Sequence, residues 1–308
     1  MDLSEHVVHT AILEDSFNLV RFSDGILPEF RDLCEKYRGF GALGCTTISG
    51  DQFSFRLLEE CRAAWPDRQP GDGIESKLAY VLGWVSHRAT DRQMKPIWTE
   101  PDPMGKGYDA DPALSPTECS VYHEGFMFRE YYMEHERFRD AILPGGLDAL
   151  AGPLGIDAAQ AAPFVQTLLL RNLFEEQTLV RDPTDVNKWF ERVGLRRQRF
   201  YVDLNRYVRA ILTPDPAKLD EFVVSIRFFD RNDAILRMAR AIRDGAEPTS
   251  TDIEAAVAAE PESHYGKALR LSYGYIRAAS DYYATDMPFE ELKERLDIGK
   301  RGRDGRVV

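Results

Sequence analysis

The sequence predicts an all-α fold, and three observations predict it. Apolar residues recur at three- and four-residue spacings along most of the chain. Gly and Pro clusters cut that pattern into helix-sized pieces. Neither a β-hairpin signal nor a run of alternating apolar and polar residues interrupts it. At 308 residues the chain is long enough to bury a sizeable core, as one large domain or two small ones.

In chain order, residues 5–22 carry Val8, Ile12, Leu13, Phe17 and Leu19 at helical spacing. Asp24-Gly25 and Pro28 break that helix, and 28–38 reads as a short second one. The stretch GFGALGCTTISGDQ, 39–52, is rich in Gly, Ser and Thr and predicts a loop. A helix resumes over 53–65. The clearest helix covers 74–91, where Leu78, Val81, Leu82, Val85 and Ala89 form one apolar face and Gly83 marks a close approach; Pro96 ends or kinks it. Residues 99–117 form a long polar loop, of a length that often serves as a lid or binding segment. A helix rich in aromatics follows at 117–141, and further helices are predicted at 158–180, 184–212, 216–244, 250–259 and 261–284. Asp230, Asn232 and Asp233 lack the Gly and Glu of a calcium loop and predict a turn or helix cap. The organisation expected is a metal-site region at 1–145, a helical C-terminal region at 146–298 packed on it as one continuous domain, and a disordered basic tail at 299–308.

Bulk properties exclude several function classes. A formal charge of −12 opposes general affinity for nucleic acid, whose phosphates it repels. No apolar run is long enough to span a bilayer, so no transmembrane segment is expected. The acidic N-terminus lacks the basic-then-apolar order of a secretion signal, and the expected location is cytoplasmic. Cys34, Cys45, Cys61 and Cys119 form no CxxC pair and predict reduced structural thiols.

The residues that carry chemistry start with His87 and Asp91. Four apart on a strong helix, they lie on one face about one turn apart, where an imidazole and a carboxylate can both reach one divalent ion. Alone, that spacing is equally a surface hydrogen bond. His9 on the first helix, Asp51 after the Gly-rich stretch and His123 on the aromatic helix supply further donors, and helical metal enzymes build sites from such facing helices.

The run LAYVLGWVSHRATDRQMKPI resembles the signature helix of the zinc-dependent phospholipase C-like family, A-Y-x-x-G-x-x-x-H-x-x-x-D-x-x-x-H-P. Ala79, Tyr80, Gly83, His87, Asp91 and Pro96 stand at the matching places. VHTAI resembles the family's N-terminal histidine segment, which makes His9 a ligand. FGALG…GDQFSF resembles its G-A-x-G-P-D loop, with extra residues before Asp51 and no Pro. His123 resembles the histidine of the family's H-x-x-x-E helix. The resemblance covers about residues 5–135 and implies a multi-helix bundle of the phospholipase C/nuclease-like type, here with an additional helical C-terminal half. It implies His9, Asp51, His87, Asp91 and His123 as metal ligands. Two departures stand out: Lys95 replaces the histidine before proline, and Met127 replaces the glutamate four after His123. Neither ammonium nor thioether suits zinc, so a full three-metal cluster is not expected and one or two ions are. Glu124 and Glu130 flank His123 as substitute carboxylates, although Glu124 faces elsewhere on an ideal helix.

The function these residues imply is metal-dependent hydrolysis of a phosphate ester or diester, with a small-molecule or lipid phosphoester as substrate. Zinc is the first expectation for the ion, with manganese or iron as alternatives. Asp51 would orient or deprotonate the attacking water, and Lys95 would offer its charge to the phosphate. Two other readings stay open: an iron oxygenase using His and carboxylate ligands, and a non-catalytic relative with a degenerate metal site that acts in binding or assembly.

Overall fold

The computed structural model describes residues 6–46, 51–69, 72–98, 117–133, 206–207, 209–211 and 213–298. Its organising element is the helix that the sequence marks most strongly. Helix α5 (Ile74–Trp98) buries Leu78, Val81, Leu82, Val85 and Ala89, as their spacing requires. It runs through Pro96 for a further half-turn instead of ending earlier. A proline this close to the C-terminus removes only one late hydrogen bond. Trp98, almost fully buried, anchors the last residues.

Before α5 come α1 (His6–Arg21), α2 (Pro28–Lys36), α3 (Arg38–Thr46) and α4 (Asp51–Ala64). After it come α6 (Glu118–Met127), which widens into a π-helical turn at Phe128–Met133, and α7 (Pro216–Leu219), which widens likewise at Asp220–Val224. The chain finishes with α8 (Ala234–Arg243), α9 (Ser250–Ala258), α10 (His264–Ala284) and α11 (Phe289–Arg295). The fold is all-α: among the described residues there is no strand. Among them, too, no helix is long and apolar enough to cross a membrane. The helices expected at 158–180 and most of 184–212, with the 99–117 loop and the 299–308 tail, lie largely or wholly outside the described residues.

Three local expectations are corrected. The Gly-rich stretch is not a loop from its start, because α3 occupies Arg38–Thr46. Its glycines serve contact. A Cβ on Gly44 would lie 1.9 Å from the Tyr80 carbonyl oxygen, and one on Gly83 would lie 1.9 Å from that of Gly41. Small residues at helical spacing thus let α3 and α5 touch backbone to backbone. The segment 216–244 is not one helix either. After α7 the chain turns, with Asp230 accepting the Asn232 N–H at 2.8 Å, and α8 begins only after Asp233. Asp233 is buried and takes the N–H groups of Glu262 at 2.8 Å and Ser263 at 3.1 Å, which ties the turn to the start of α10. Finally, α11 follows where no helix was expected, and the buried Arg88 holds its end by donating to the Leu296 and Asp297 carbonyls.

The chain divides into two compact units. One comprises Met1–Val8 and Pro101–Ile226, the other His9–Glu100 and Arg227–Val308. In the second unit α5 packs against α3, α4 and α10. A line of buried hydroxyls runs through it, with Ser16 and Ser272 at 2.7 Å and Ser272 and Ser86 at 2.9 Å, linking α1, α10 and α5. Asp15 joins α1 to α8 through a buried ion pair with Arg243. In the first unit, the buried carboxylate of Glu124 on α6 accepts the N–H groups of Val7 at 2.7 Å and Val8 at 2.9 Å. Those N–H groups open α1 and have no partner within it, so an anion there is doubly favoured.

Candidate metal centre

Gly83, His87, Asp91 and Lys95 follow one another at four-residue intervals along α5, so they form a single stripe. The close approach at Gly83 fixes what lies beside that stripe. It brings the last turn of α3 to His87, whose Nδ1 sits 2.7 Å from the Cys45 carbonyl oxygen. That carbonyl belongs to the helix end that lacks intrahelical donors, and the imidazole supplies one. A carbonyl oxygen only accepts, so Nδ1 carries the proton and His87 turns Nε2 towards Asp91.

Three side chains converge on this point. Asp91 Oδ1 lies 3.2 Å from His9 Nε2, and Asp91 Oδ2 lies 3.3 Å from His87 Nε2. The His9 and His87 rings stack, with centroids 4.4 Å apart and planes inclined by 28°. Trp98 closes one side of His9 at a centroid distance of 6.0 Å. His9 is 1% exposed and Asp91 4%, so the centre is reached from the His87 side, where the imidazole is 18% exposed. Burial pushes the Asp91 carboxyl upward, but it is overcome by the charge and hydrogen bond of His87, the hydrogen bond of His9 and the Lys95 ammonium. The net effect holds Asp91 well below the usual carboxylate range.

The group fits a divalent ion on three counts. One donor atom from each of His9, His87 and Asp91 lies within 4.8 Å of the others. The two Nε2 atoms approach the two oxygens of one carboxylate, at 3.2 and 3.3 Å. His87 is oriented through its second nitrogen by a backbone carbonyl, as metal-ligating histidines are. Without an ion, both Nε2 atoms face the ionised carboxylate as N–H donors. One divalent cation replaces both protons.

Lys95 changes the balance. Its Nζ forms an ion pair with Asp91 Oδ2, the oxygen that faces His87, while the side chain remains 40% exposed. A monovalent and a divalent cation about 5 Å apart repel on the order of 7 kcal/mol at an effective dielectric of about 20, and less where one of them meets solvent.

The remaining expected site residues fall elsewhere or outside the described set. Asp51 begins α4, and its side chain lies outside the described residues. His123 belongs to the first unit, where Nε2 lies 2.5 Å from the Phe222 carbonyl oxygen and 3.6 Å from Cys119 Sγ. Among the described residues, the His9–His87–Asp91 group does not include it. Met127 is core, and Glu124 caps α1. His264 receives a hydrogen bond at Nδ1 from the Gln93 amide at 2.8 Å. Cys34, Cys45 and Cys61 are buried free thiols; burial raises Cys61 to about 11 and the other two further.

Sequence reasoning missed the Cys45 carbonyl, which orients His87. Its signal was Gly41 and Gly44 three residues apart, a helical spacing inside a stretch read as loop. No protein-family model, curated protein or solved structure matches the chain.

Proposed function

We propose that this protein is a metal-dependent hydrolase of phosphate esters or diesters, working with one divalent ion, zinc first, held by His9, His87 and Asp91. The observation that carries the reading is the placement of two imidazole Nε2 atoms against the two oxygens of one buried carboxylate. Two histidines and one carboxylate form the ligand set of a catalytic zinc site that keeps a position open. A divalent ion there lowers the pKa of water towards neutrality and neutralises phosphoryl oxygens. The chain's own part is to hold and exclude. The Cys45 carbonyl fixes the His87 tautomer, Trp98 packs beside His9, and the partly exposed His87 edge admits substrate.

The test is elemental analysis of the purified protein, with hydrolysis of bis(4-nitrophenyl) phosphate and 4-nitrophenylphosphorylcholine followed with and without added zinc. Near-stoichiometric zinc or manganese and zinc-dependent release of nitrophenol, both lost in His87→Ala, are expected. Stoichiometric iron with no hydrolysis would turn the reading towards an oxygenase. Failure to take up any metal would leave a second reading, which the Lys95–Asp91 contact favours. In that reading His9, Asp91, His87 and Lys95 are a metal-free ionic network in a non-catalytic relative that binds or assembles with a partner.

A further inference from the structure

We propose that Lys95 is a built-in place-holder: its ammonium occupies Asp91 in the metal-free protein, leaves that carboxylate when a divalent ion binds, and then meets the phosphoryl oxygens of a substrate. The inference rests on His9, His87 and Asp91 being the metal site.

Three observations carry it. Lys95 Nζ contacts Asp91 Oδ2, the oxygen that also faces His87 Nε2 at 3.3 Å, so ammonium and metal draw on one carboxylate. Asp91 is 4% exposed, so its charge needs a cation beside it when the metal is absent, and the Lys95 ammonium is placed to supply one. Lys95 is 40% exposed on a flexible four-carbon stem, whereas His9 is buried at 1%. The ammonium can therefore move towards water, and the buried ligands cannot. A lysine four residues after Asp91 stays one turn from the centre after it lets go, within reach of an anion bound there. Exchange of one cation for another keeps the buried carboxylate compensated throughout.

The test is calorimetric titration of the full chain, stripped with chelator, with zinc chloride, in wild type, Lys95→Arg, Lys95→Met and Lys95→Gln. Lys95→Met and Lys95→Gln are expected to bind zinc about tenfold tighter than wild type or more, because the competing charge is gone. Lys95→Arg is expected to bind no tighter than wild type. The metal-free Met variant should melt lower than wild type and gain more on adding zinc. Equal or weaker zinc binding in both neutral variants would overturn the place-holder; should Lys95→Met not fold, Lys95→Gln decides. Hydrolysis separates this from the functional reading. Tighter zinc binding in the neutral variants, with no phosphodiester turnover by the zinc-saturated wild type, would keep the place-holder and sink the hydrolase. Turnover with unchanged zinc affinities would do the reverse. If both hold, the neutral variants should show a raised KM for bis(4-nitrophenyl) phosphate that Lys95→Arg restores.

Discussion

The two units each bury a histidine and a carboxylate, and they use them in opposite ways. In one, Glu124 turns both oxygens to the N–H groups that open α1, and His123 Nε2 faces the Phe222 carbonyl. In the other, His87 gives only Nδ1 to a carbonyl, and its Nε2 meets Asp91 together with His9. Both sets hold a buried carboxylate and a buried histidine. In the first the carboxylate binds backbone N–H groups; in the second it faces two imidazoles. Burial and residue type therefore do not nominate a site. What nominates it is a buried carboxylate that faces imidazole nitrogens instead of backbone N–H groups.

That contrast can be broken most sharply by truncation. Asp91→Ala is expected to lower zinc affinity by about a hundredfold or more, since ligand loss exceeds the 10–100-fold of an outer-shell change. Glu124→Ala is expected to leave zinc affinity unchanged while lowering stability by about 2–3 kcal/mol, as two charge-assisted hydrogen bonds are lost. Calorimetric titration and urea unfolding check the pair. A metal defect in Glu124→Ala would erase the distinction.

A smaller effect sharpens the role of packing. Gly44→Ala places a methyl group 1.9 Å from the Tyr80 carbonyl oxygen. It should cost about 1–3 kcal/mol by overpacking. It should also weaken zinc binding about tenfold, because the Cys45 carbonyl moves away from His87. Unchanged zinc binding in a destabilised variant would show that the carbonyl does not orient the ring.

The acid limb follows from Asp91. Its carboxyl is held well below its usual range in the fold, so its contribution to stability is fully present above about pH 4. That contribution is lost as pH falls further, towards the lowered value. Asp91→Asn should flatten this part of the stability–pH curve, measured by urea unfolding between about pH 2 and 5. Glu124→Gln, on the backbone-committed side, provides the comparison.

The smallest effect is expected on the exposed face of α10. Gly274 is exposed inside α10, and a Cβ there would meet nothing within 4 Å. Gly274→Ala should stabilise the protein by about 0.5–1 kcal/mol, read as a raised midpoint, with zinc affinity unchanged. A loss of stability would mean that this surface needs the glycine.

Much of this was legible in the chain. The apolar stripe of α5, its Gly83 contact and the His87–Asp91 spacing are consequences of helical period, which sequence reports directly. His9 as their partner rested on resemblance, and the structure brings it to 3.2 Å from Asp91. What was not legible depends on a second element. Gly41 and Gly44 read as loop because glycine lowers helix propensity. They are helical because α5 approaches Gly44, and the Phe17 ring Gly41, so closely that no side chain fits, and packing outweighs a penalty of about 1 kcal/mol each. Pro96 reads as an end or a kink, and the helix runs past it to the buried Trp98.

By itself the sequence determined that the protein is helical and that α5 carries a His-Asp pair on one face, because both follow from spacing along a single helix. Only the tertiary structure decided which histidine completes the pair, which carbonyl orients it and that Lys95 sits on the same carboxylate. It likewise decided that His123 and Glu124 serve the backbone. The reason is physical. A side chain's direction is set by its own helix, whereas its partner is set by where another helix can pack, and here that was decided by three glycines without a Cβ between α3 and α5.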